Sequence, residues 1–596
     1  VGLPYAEIVN TYEKISKTTS RLEITDILVS LLKKATKEDV DKIIYLTQGK
    51  LYPDYVGIEL GFAEKFMVRA LSLATGVNVN KIGEELKKKG DIGIIAQEVI
   101  SNKRQAALFE YVGKTDEKLT VDEVYDTLDK VAKVSGEGAQ ETKIKIVSGL
   151  LKKASPVEAK YLARTIVGTL RLGLADMTIL DAIAIAYLGS KDYREVVERA
   201  YNVTSDLGYV ARVALTEGVE GLKKIKARVG VPVRPMLAER AESYQEIVER
   251  LGPRFVAEYK YDGERVQIHK KGDSFTLFSR SLENITHHYP DLIDNLKGVI
   301  KVNEAIIEGE IVAINPLTGE MLPFQELMHR RRKYEVEKAA EEYPTVVYLF
   351  DVIYVDGEEL IDQPLLKRKE SLERIVNTNE AIRFTVGKII TNEEDFISFF
   401  NEAVSSGCEG LMCKSIKDES VYKAGSRGFL WIKFKRSYQS KMVEPIDVVI
   451  VGGFYGTGRR AGKLGGLLVA IYDNKNDVFK TICKLGSGFT DEDLEKLPGI
   501  LEPYKIDHIH PRVISKVEAD VWYVPNFVIE IIGDEITLSP IHTAAYGVIT
   551  KDAGLAVRFP RFTGRYREDK KPEDATTEEE IIEMYKRQLK KIEIKE

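Results

Sequence analysis

Cysteine is scarce in this chain of 596 residues: Cys408, Cys413 and Cys483 are the whole complement, and none forms a Cys-x-x-Cys pair. A disulfide framework and a four-cysteine zinc site are therefore excluded. No run of about 18 apolar residues occurs, so no transmembrane helix is expected. The opening "VGLPYAEIVNTYEKI" lacks the charged-then-apolar order of a signal peptide. Repeats and long low-complexity stretches are also missing. The net charge of −6 argues against a uniformly basic nucleic-acid binder. These absences predict a reducing, cytoplasmic location without membrane association. The length predicts about three or four domains.

What is present is ordinary in bulk, with 44% hydrophobic and 30% charged residues, but locally biased. From Lys423 to Lys441 six basic residues occur with no acid, and a second basic cluster, "RFPRFTGRYREDKK", begins at Arg558. A single charge run is most often a solvated face, but two such clusters also match phosphate binding. Up to about residue 225 the pattern is helical. In "TSRLEITDILVSLLKKA" the residues Leu22, Ile27, Leu28, Leu31 and Leu32 predict one apolar face. "VGVPVRPMLAER" (229–240) breaks this pattern with two prolines and a glycine. Short β-type runs follow, including "AIIEGEIVAI", "TVVYLFDVIYVDG" and "EGLMCKS", with a helix over "FQELMHRRRKYEVEKAAEEY". After Lys441 glycine-rich turns separate short strands, as in a small barrel, and a charged helix closes the chain.

The stretch "EYKYDGERV" (258–266) places a lysine between a glutamate and an Asp-Gly pair. A plain reading is an exposed hairpin with an Asp-Gly turn. The alternative is a nucleophile. Strand alternation puts Val256, Glu258 and Lys260 on one face and Ala257, Tyr259 and Tyr261 on the other. A lysine of reference pKa about 10.4 is almost wholly protonated at pH 7, and lowering that pKa by about three units takes roughly 4 kcal/mol. A nucleophilic lysine therefore needs neighbouring cations or a metal.

Later strands offer that company. "IIEGEIVA" sets Glu308 and Glu310 on one face, costly without a cation or solvent. "CEGLMCK" begins with Glu409 and ends with Lys414. "WIKFK" projects Lys433 and Lys435 with Trp431, while Ile432 and Phe434 point away. Phe350 in "YLFDV" offers a ring of the kind able to stack on a base. Each motif alone is more often structural; their joint occurrence favours a nucleotide site.

In this order "KYDGER", "FSRSLENIT", "IIEGEIVA", "LFDVIYVDG", "CEGLMCK" and "WIKFKRSY" resemble the nucleotidyltransferase motifs of ATP-dependent DNA ligases, archaeal replicative enzymes and their eukaryotic relatives above all. "TLRLGLADMTILDA" (169–182) is similar to that family's helical DNA-binding domain, "GGFYGTGRRAGKLGGLLVAIYD" to its oligonucleotide-binding barrel, and "RFPRFTGRYREDKKPEDATT" to its C-terminal basic motif. The resemblance implies a multidomain α+β chain. Its parts are an all-α DNA-binding domain (1–228), an α+β nucleotidyltransferase domain with antiparallel sheets (229–438) and an OB-fold β-barrel with a C-terminal helix (439–596).

It further implies that Lys260 attacks the α-phosphorus of ATP and becomes lysyl–AMP. AMP then passes to the 5′-phosphate of nicked duplex DNA, and the 3′-hydroxyl displaces it, in replication, repair and recombination. Glu258 lies beside the adenine and Phe350 stacks on it. Arg265 and Arg280 contact the ribose and phosphate side. Lys433 and Lys435 hold the α-phosphate, with Lys414 and Arg427 as further polar contacts. Glu310 and Glu409 bind Mg²⁺, for which Mn²⁺ is a substitute, and the ribose. Arg171 and Gly173, with Arg567 and Lys570, contact DNA, and the protein is expected to be a monomer. The C-terminal motif runs thirteen residues from Arg558 to Lys570 where many relatives have twelve, so its alignment is firmest at Arg567 and Lys570. "QAALFEY" carries Gln105, Leu108 and Phe109 at the spacing of a sliding-clamp docking peptide, and equally at that of a helix packing into its own domain. RNA ligases and capping enzymes do not need the region before residue 225, and an NAD-dependent ligase lacks its zinc module here. A binding scaffold with a dead nucleotide site conflicts with the intact Lys260, Glu310, Glu409, Lys433 and Lys435.

Overall fold

The computed structural model describes residues 2–108, 118–170, 172–331, 336–435, 444–456 and 463–593. The chain divides into two compact units, Val1–Arg234 with Ser281–Asn284 and Pro235–Arg280 with Ile285–Glu596. Among the described residues no helix is long and apolar enough to cross a membrane.

The described residues of the first unit hold helices from Tyr5–Ser16 to Leu207–Lys223 and no strand. Their ends carry local signals. In Pro156–Val167 the Ser155 hydroxyl accepts from the N–H of Glu158, whose carboxylate accepts from the N–H of Ser155, and Pro156 occupies the first turn. In Val121–Lys133 the residues Val121, Val124, Tyr125, Leu128 and Val131 are buried, the face that helical periodicity predicts. The expected face of Arg21–Lys34 needs correction. Ile24, Leu28, Val29, Leu31 and Leu32 enter the core, whereas Leu22 is 72% exposed. At about 3.6 residues per turn a side chain two positions before Ile24 lies on the opposite side of the helix.

The first part of the second unit is built on two sheets. Its strands are β1 (Leu237–Arg240), β2 (Phe255–Lys260), β3 (Glu264–Lys271), β4 (Ser274–Ser279), β5 (Glu304–Ala313), β6 (Thr345–Val355), β7 (Glu358–Glu359), β8 (Ile382–Phe384), β9 (Gly387–Ile390), β10 (Gly410–Ser415) and β11 (Arg427–Lys435). One sheet has the order β1-β11-β10-β2-β9, the other β4-β3-β5-β6-β7 with β8 also on β6. The pairings are antiparallel except β1 with β11 and β6 with β8. Phe255, Ala257 and Tyr259 of β2 share a core with Phe396 and Ile432 and with Val312 and Val346 of the other sheet. Val266, Ile268, Leu277, Ile307 and Leu349 pack a second core.

The hairpin reading of Glu258–Val266 is wrong. β2 pairs with β10 and β9, and β3 with β4 and β5. Asp262 and Gly263 therefore lie in a crossover between sheets, directly after Lys260. The Tyr261 ring stacks on Tyr348 at 4.0 Å and fixes that crossing. The turn after Lys271 is a true hairpin: Lys271 pairs with Ser274, and Gly272 supplies the left-handed φ of 59°.

The remaining strands are β12 (Ile446–Tyr455), β13 (Leu464–Asp473), β14 (Val478–Leu485), β15 (Lys505–Ile506), β16 (Val513–Ile514), β17 (Val521–Tyr523), β18 (Val528–Ile532), β19 (Glu535–Ser539), β20 (Gly554–Arg558) and β21 (Arg561–Tyr566). They form a sheet of order β15-β17-β12-β13-β14-β16, to which β18 adds through β12 and carries β21, and a separate β19–β20 pair. Ile446, Val448 and Ile450 alternate into its core with Val469 and Ile471.

Candidate active site

Lys260 ends β2, at the point where the chain leaves one sheet for the other. The N–H of Glu409 donates to the Lys260 carbonyl at 2.8 Å, which places the start of β10 beside the lysine. Across this junction Lys260 Nζ lies 2.7 Å from Glu409 Oε2, and Lys435 Nζ lies 3.5 Å from the same oxygen. Burial works against charge on Glu409, but Lys260 and Lys435 outweigh it and hold the carboxyl below its usual range. Its neighbour Asp262 is pushed up to about 6 by burial and by the Glu409 charge.

Glu310, opposite Arg265 in the β3–β5 ladder, is pushed up to about 7. Burial is the main cause, and Lys260 and Arg265 offset only part of it. Among the described residues no group of three or more His, Cys, Asp or Glu side chains is arranged to hold a metal. The two glutamates named for a metal thus offer an incomplete set of hard oxygen donors. Such a set suits Mg²⁺, which is commonly held by one or two carboxylates together with substrate phosphates.

Facing these carboxylates is a cationic wall. Lys433 on β11 is held below the usual lysine range by burial and then by the charges of Lys435, Lys260, Arg427 and Arg280. Arg427 opens β11 and Arg280 follows β4, and both are exposed. Strand alternation delivers Lys433 and Lys435 as the sequence predicts, with Ile432 and Phe434 packed on the opposite side. The wall would favour a polyanion.

Beside Glu258, two residues before Lys260 on β2, the Phe350 and Trp431 rings meet edge to face with centroids 6.1 Å apart. Lys414 Nζ sits 4.4 Å from the centroid of Phe350 and 4.1 Å from that of Trp431, and it pairs with Glu258 at 2.6 Å. Glu258 also takes Lys369. Arg265 lies 5.4 Å from the Phe350 ring. Its guanidinium is bidentate to Glu308, at 3.0 and 3.1 Å, and donates to the Met236 carbonyl at 2.6 Å. Tyr422 donates its hydroxyl to Glu308 as well. The expected companion of Glu310 on its strand face therefore serves to fix Arg265.

Lys260, Glu258, Arg265, Arg280, Glu310, Phe350, Glu409, Lys414, Arg427, Lys433 and Lys435 all meet at this junction. The C-terminal basic residues divide. Arg558 is buried: it pairs with Glu535 at 3.0 Å, donates to the carbonyls of Gly407 and Cys408, both at 3.2 Å, and its charge reaches Asp262. Arg567 and Lys570 engage Asp447 instead, at 3.3 and 2.6 Å. Gly173 lies in the helical unit with φ 68°. Gln105 is exposed on the helix Ile92–Leu108. Arg171, Phe109 and the side chain of Leu108 lie outside the described residues.

Sequence reasoning missed Asp262, Lys369, Tyr422 and the Asp351–Arg368 pair. Asp262 and Asp351 lie inside "KYDGER" and "LFDVIYVDG", next to or near the residues singled out there, a signal that the motifs themselves carried. Lys369 and Tyr422 reach the site only through tertiary packing.

The description "DNA ligase N terminus" matches residues 4–184, "ATP dependent DNA ligase domain" residues 235–435, and "ATP dependent DNA ligase C terminal region" residues 460–570. The chain is 58% identical over 591 residues to the DNA ligase 2 of Thermofilum pendens, covering 99% of this chain and 98% of that one. It is 52% identical over 589 residues to the probable DNA ligase of Aquifex aeolicus, covering 99% of both. It is 49% identical over 591 residues to the DNA ligase of Saccharolobus solfataricus, covering 99% of this chain and 98% of that one.

Proposed function

The chain belongs to the ATP-dependent DNA ligase family, and from that premise we propose that it seals 5′-phosphate/3′-hydroxyl nicks in duplex DNA through lysyl–AMP. The observation that carries this reading is Lys260 Nζ held 2.7 Å from Glu409 and facing the wall of Lys433, Lys435, Arg427 and Arg280. The Lys260 nitrogen attacks the α-phosphorus of ATP. The Lys260 ammonium gives up one proton before attack, with Glu409 the nearest acceptor, and the nitrogen gives up a second to solvent as the P–N bond forms and the bond to pyrophosphate breaks. Lys433 and Lys435 stabilise the charge that develops on the phosphate. Phe350 stacks on the adenine, and Glu258 lies at its edge. Arg265, fixed by Glu308, meets the ribose side, and Arg280 the phosphates.

Glu310 and Glu409 hold Mg²⁺, or Mn²⁺ in its place, which supplies electrostatic stabilisation of the phosphates when bound. A carboxyl pushed up to about 7 beside a second carboxylate is a donor set that a divalent cation would relieve.

Three functional parts follow from the motif order: residues 1–228 grip the duplex, 229–438 adenylate, and 439–596 form an OB-fold barrel with its helix. Gly173 and Arg171 meet the minor groove, and Arg567 and Lys570 meet DNA phosphates once released from Asp447. The protein acts as a cytoplasmic monomer, and the segment holding Gln105, Leu108 and Phe109 docks a sliding clamp. Loss of clamp binding in a Leu108→Ala/Phe109→Ala protein supports that last point, and retained binding refutes it.

The test of the reaction is a duplex carrying one labelled 5′-phosphate nick. Sealing that needs both ATP and a divalent cation supports the proposal. No sealing with ATP across Mg²⁺ and Mn²⁺ contradicts it.

A further inference from the structure

The buried Glu258 carboxylate holds one cation more than charge balance needs. Glu258 is 2% exposed and already pairs with Lys414, yet a second lysine, Lys369, reaches its other oxygen from a helix outside the motifs. That helix, Leu365–Ile375, buries Leu365, Arg368, Leu372 and Ile375 along one face. Arg368, fully buried, grips Asp351 with two hydrogen bonds of 2.9 and 3.2 Å and donates to the carbonyls of Gln363 and Ser420. Asp351 directly follows Phe350. The next residue on the helix, Lys369, also approaches the Phe350 carbonyl, at 3.4 Å. Successive helix residues thus brace two parts of the site, the backbone around Phe350 and the carboxylate of Glu258.

We propose that Lys369 is a specificity-determining positioning residue, which keeps Glu258 an acceptor-only group and so selects a 6-amino purine over a 6-oxo purine. The inference rests on the lysyl–AMP reading above. A buried carboxyl relying on Lys414 alone would lose its counter-ion whenever Lys414, poised between Phe350 and Trp431, turned toward a nucleotide. It would then tend to take up a proton and become a donor. With Lys369 in place the carboxylate stays ionised in both circumstances. Adenine offers an amino donor at position 6 where guanine offers a carbonyl acceptor. An ionised carboxylate accepts from the first and repels the second. Sites that hydrogen-bond a substrate group discriminate strongly against analogues lacking it.

The test measures label transfer to the full-length protein from α-labelled ATP and from α-labelled GTP. Purine riboside triphosphate, which lacks the amino group, competes in parallel. Wild type, Lys369→Met and Lys369→Arg are compared, with Lys369→Gln replacing the Met variant if that protein does not fold. The expected result is a Lys369→Met protein still labelled by ATP with a raised KM and an ATP/GTP ratio lowered at least tenfold. Lys369→Arg restores the wild-type ratio. A Lys369→Met protein whose ratio stays within twofold of wild type overturns the inference. So does one that melts like wild type but takes label from neither nucleotide, because Lys369 would then serve the chemistry rather than the choice. Wild-type protein unlabelled by ATP overturns the lysyl–AMP reading itself, and the inference with it.

Discussion

Gly263 passes so close to Ile311 that a Cβ built on it would overlap the Ile311 carbonyl oxygen. The glycine of the "KYDGER" stretch is therefore required by close approach between β5 and the crossover that follows Lys260. Its φ does not lie in the left-handed range, so backbone freedom is not the reason.

Gly263→Ala is expected to displace that crossover and Asp262 with it. Overpacking against a rigid atom costs roughly 1–3 kcal/mol or more, and lysyl–AMP formation should fall at least about tenfold through lost positioning. Thermal melting and labelling with ATP check both. A variant with wild-type melting and labelling would show that the contact does not matter.

Arg368 and Asp351 form an ion pair with both side chains fully buried. Arg368→Met strands the Asp351 carboxylate and is expected to cost about 3–5 kcal/mol. The double variant Arg368→Met/Asp351→Asn should recover a large part of that loss. Denaturant unfolding of the single and double variants measures it, and additive effects would contradict the pairing.

Glu320 is pushed up to about 7 by burial, with Lys484 offsetting part of the effect. Its folded pKa lies above the unfolded value near 4.5, so the folded chain binds the extra proton between those two values. The associated stability is present below about pH 4.5 and is lost as pH rises through about 7. Glu320→Gln should therefore melt higher than wild type at pH 8, by an amount on the order of 1 kcal/mol, and the gap should close towards pH 5. Melting curves that stay parallel across this window would exclude the assignment.

Asp447 neutralises Arg567 and Lys570 together. If those cations meet DNA phosphates, Asp447→Asn releases them. Binding to a nicked duplex should then tighten at low salt, and the slope of log K against log salt should steepen by about one unit. An unchanged slope removes Arg567 and Lys570 from the DNA contact.

Much of the site was legible because β-strand alternation is local. Glu258 with Lys260 on β2, and Lys433 with Lys435 on β11, face the site together as their spacing predicts. Pairing between strands is not local, and there the residues left two readings open: the Asp-Gly that would suit a hairpin turn lies in a crossover between sheets. Leu22 shows a second limit. Apolar identity placed it in the core, but helical phase turns it outward. Lys369 was invisible for a third reason, since a basic residue on a charged helix looks solvated until Glu258 is found beside it. The roles of Arg567 and Lys570 carry over from the motif, whereas their pairing with Asp447 depends on how the segment after β21 folds back onto β12.

Covalent adenylation of Lys260 is the step on which the proposed reaction depends. The most direct measurement treats wild-type and Lys260→Ala protein with α-labelled ATP and Mg²⁺, digests both, and identifies the labelled peptide. Acid-labile AMP is expected on the peptide containing Lys260, with no label on the variant and discharge of the label by nicked DNA. Label on another residue, or equal label on both proteins, would contradict it.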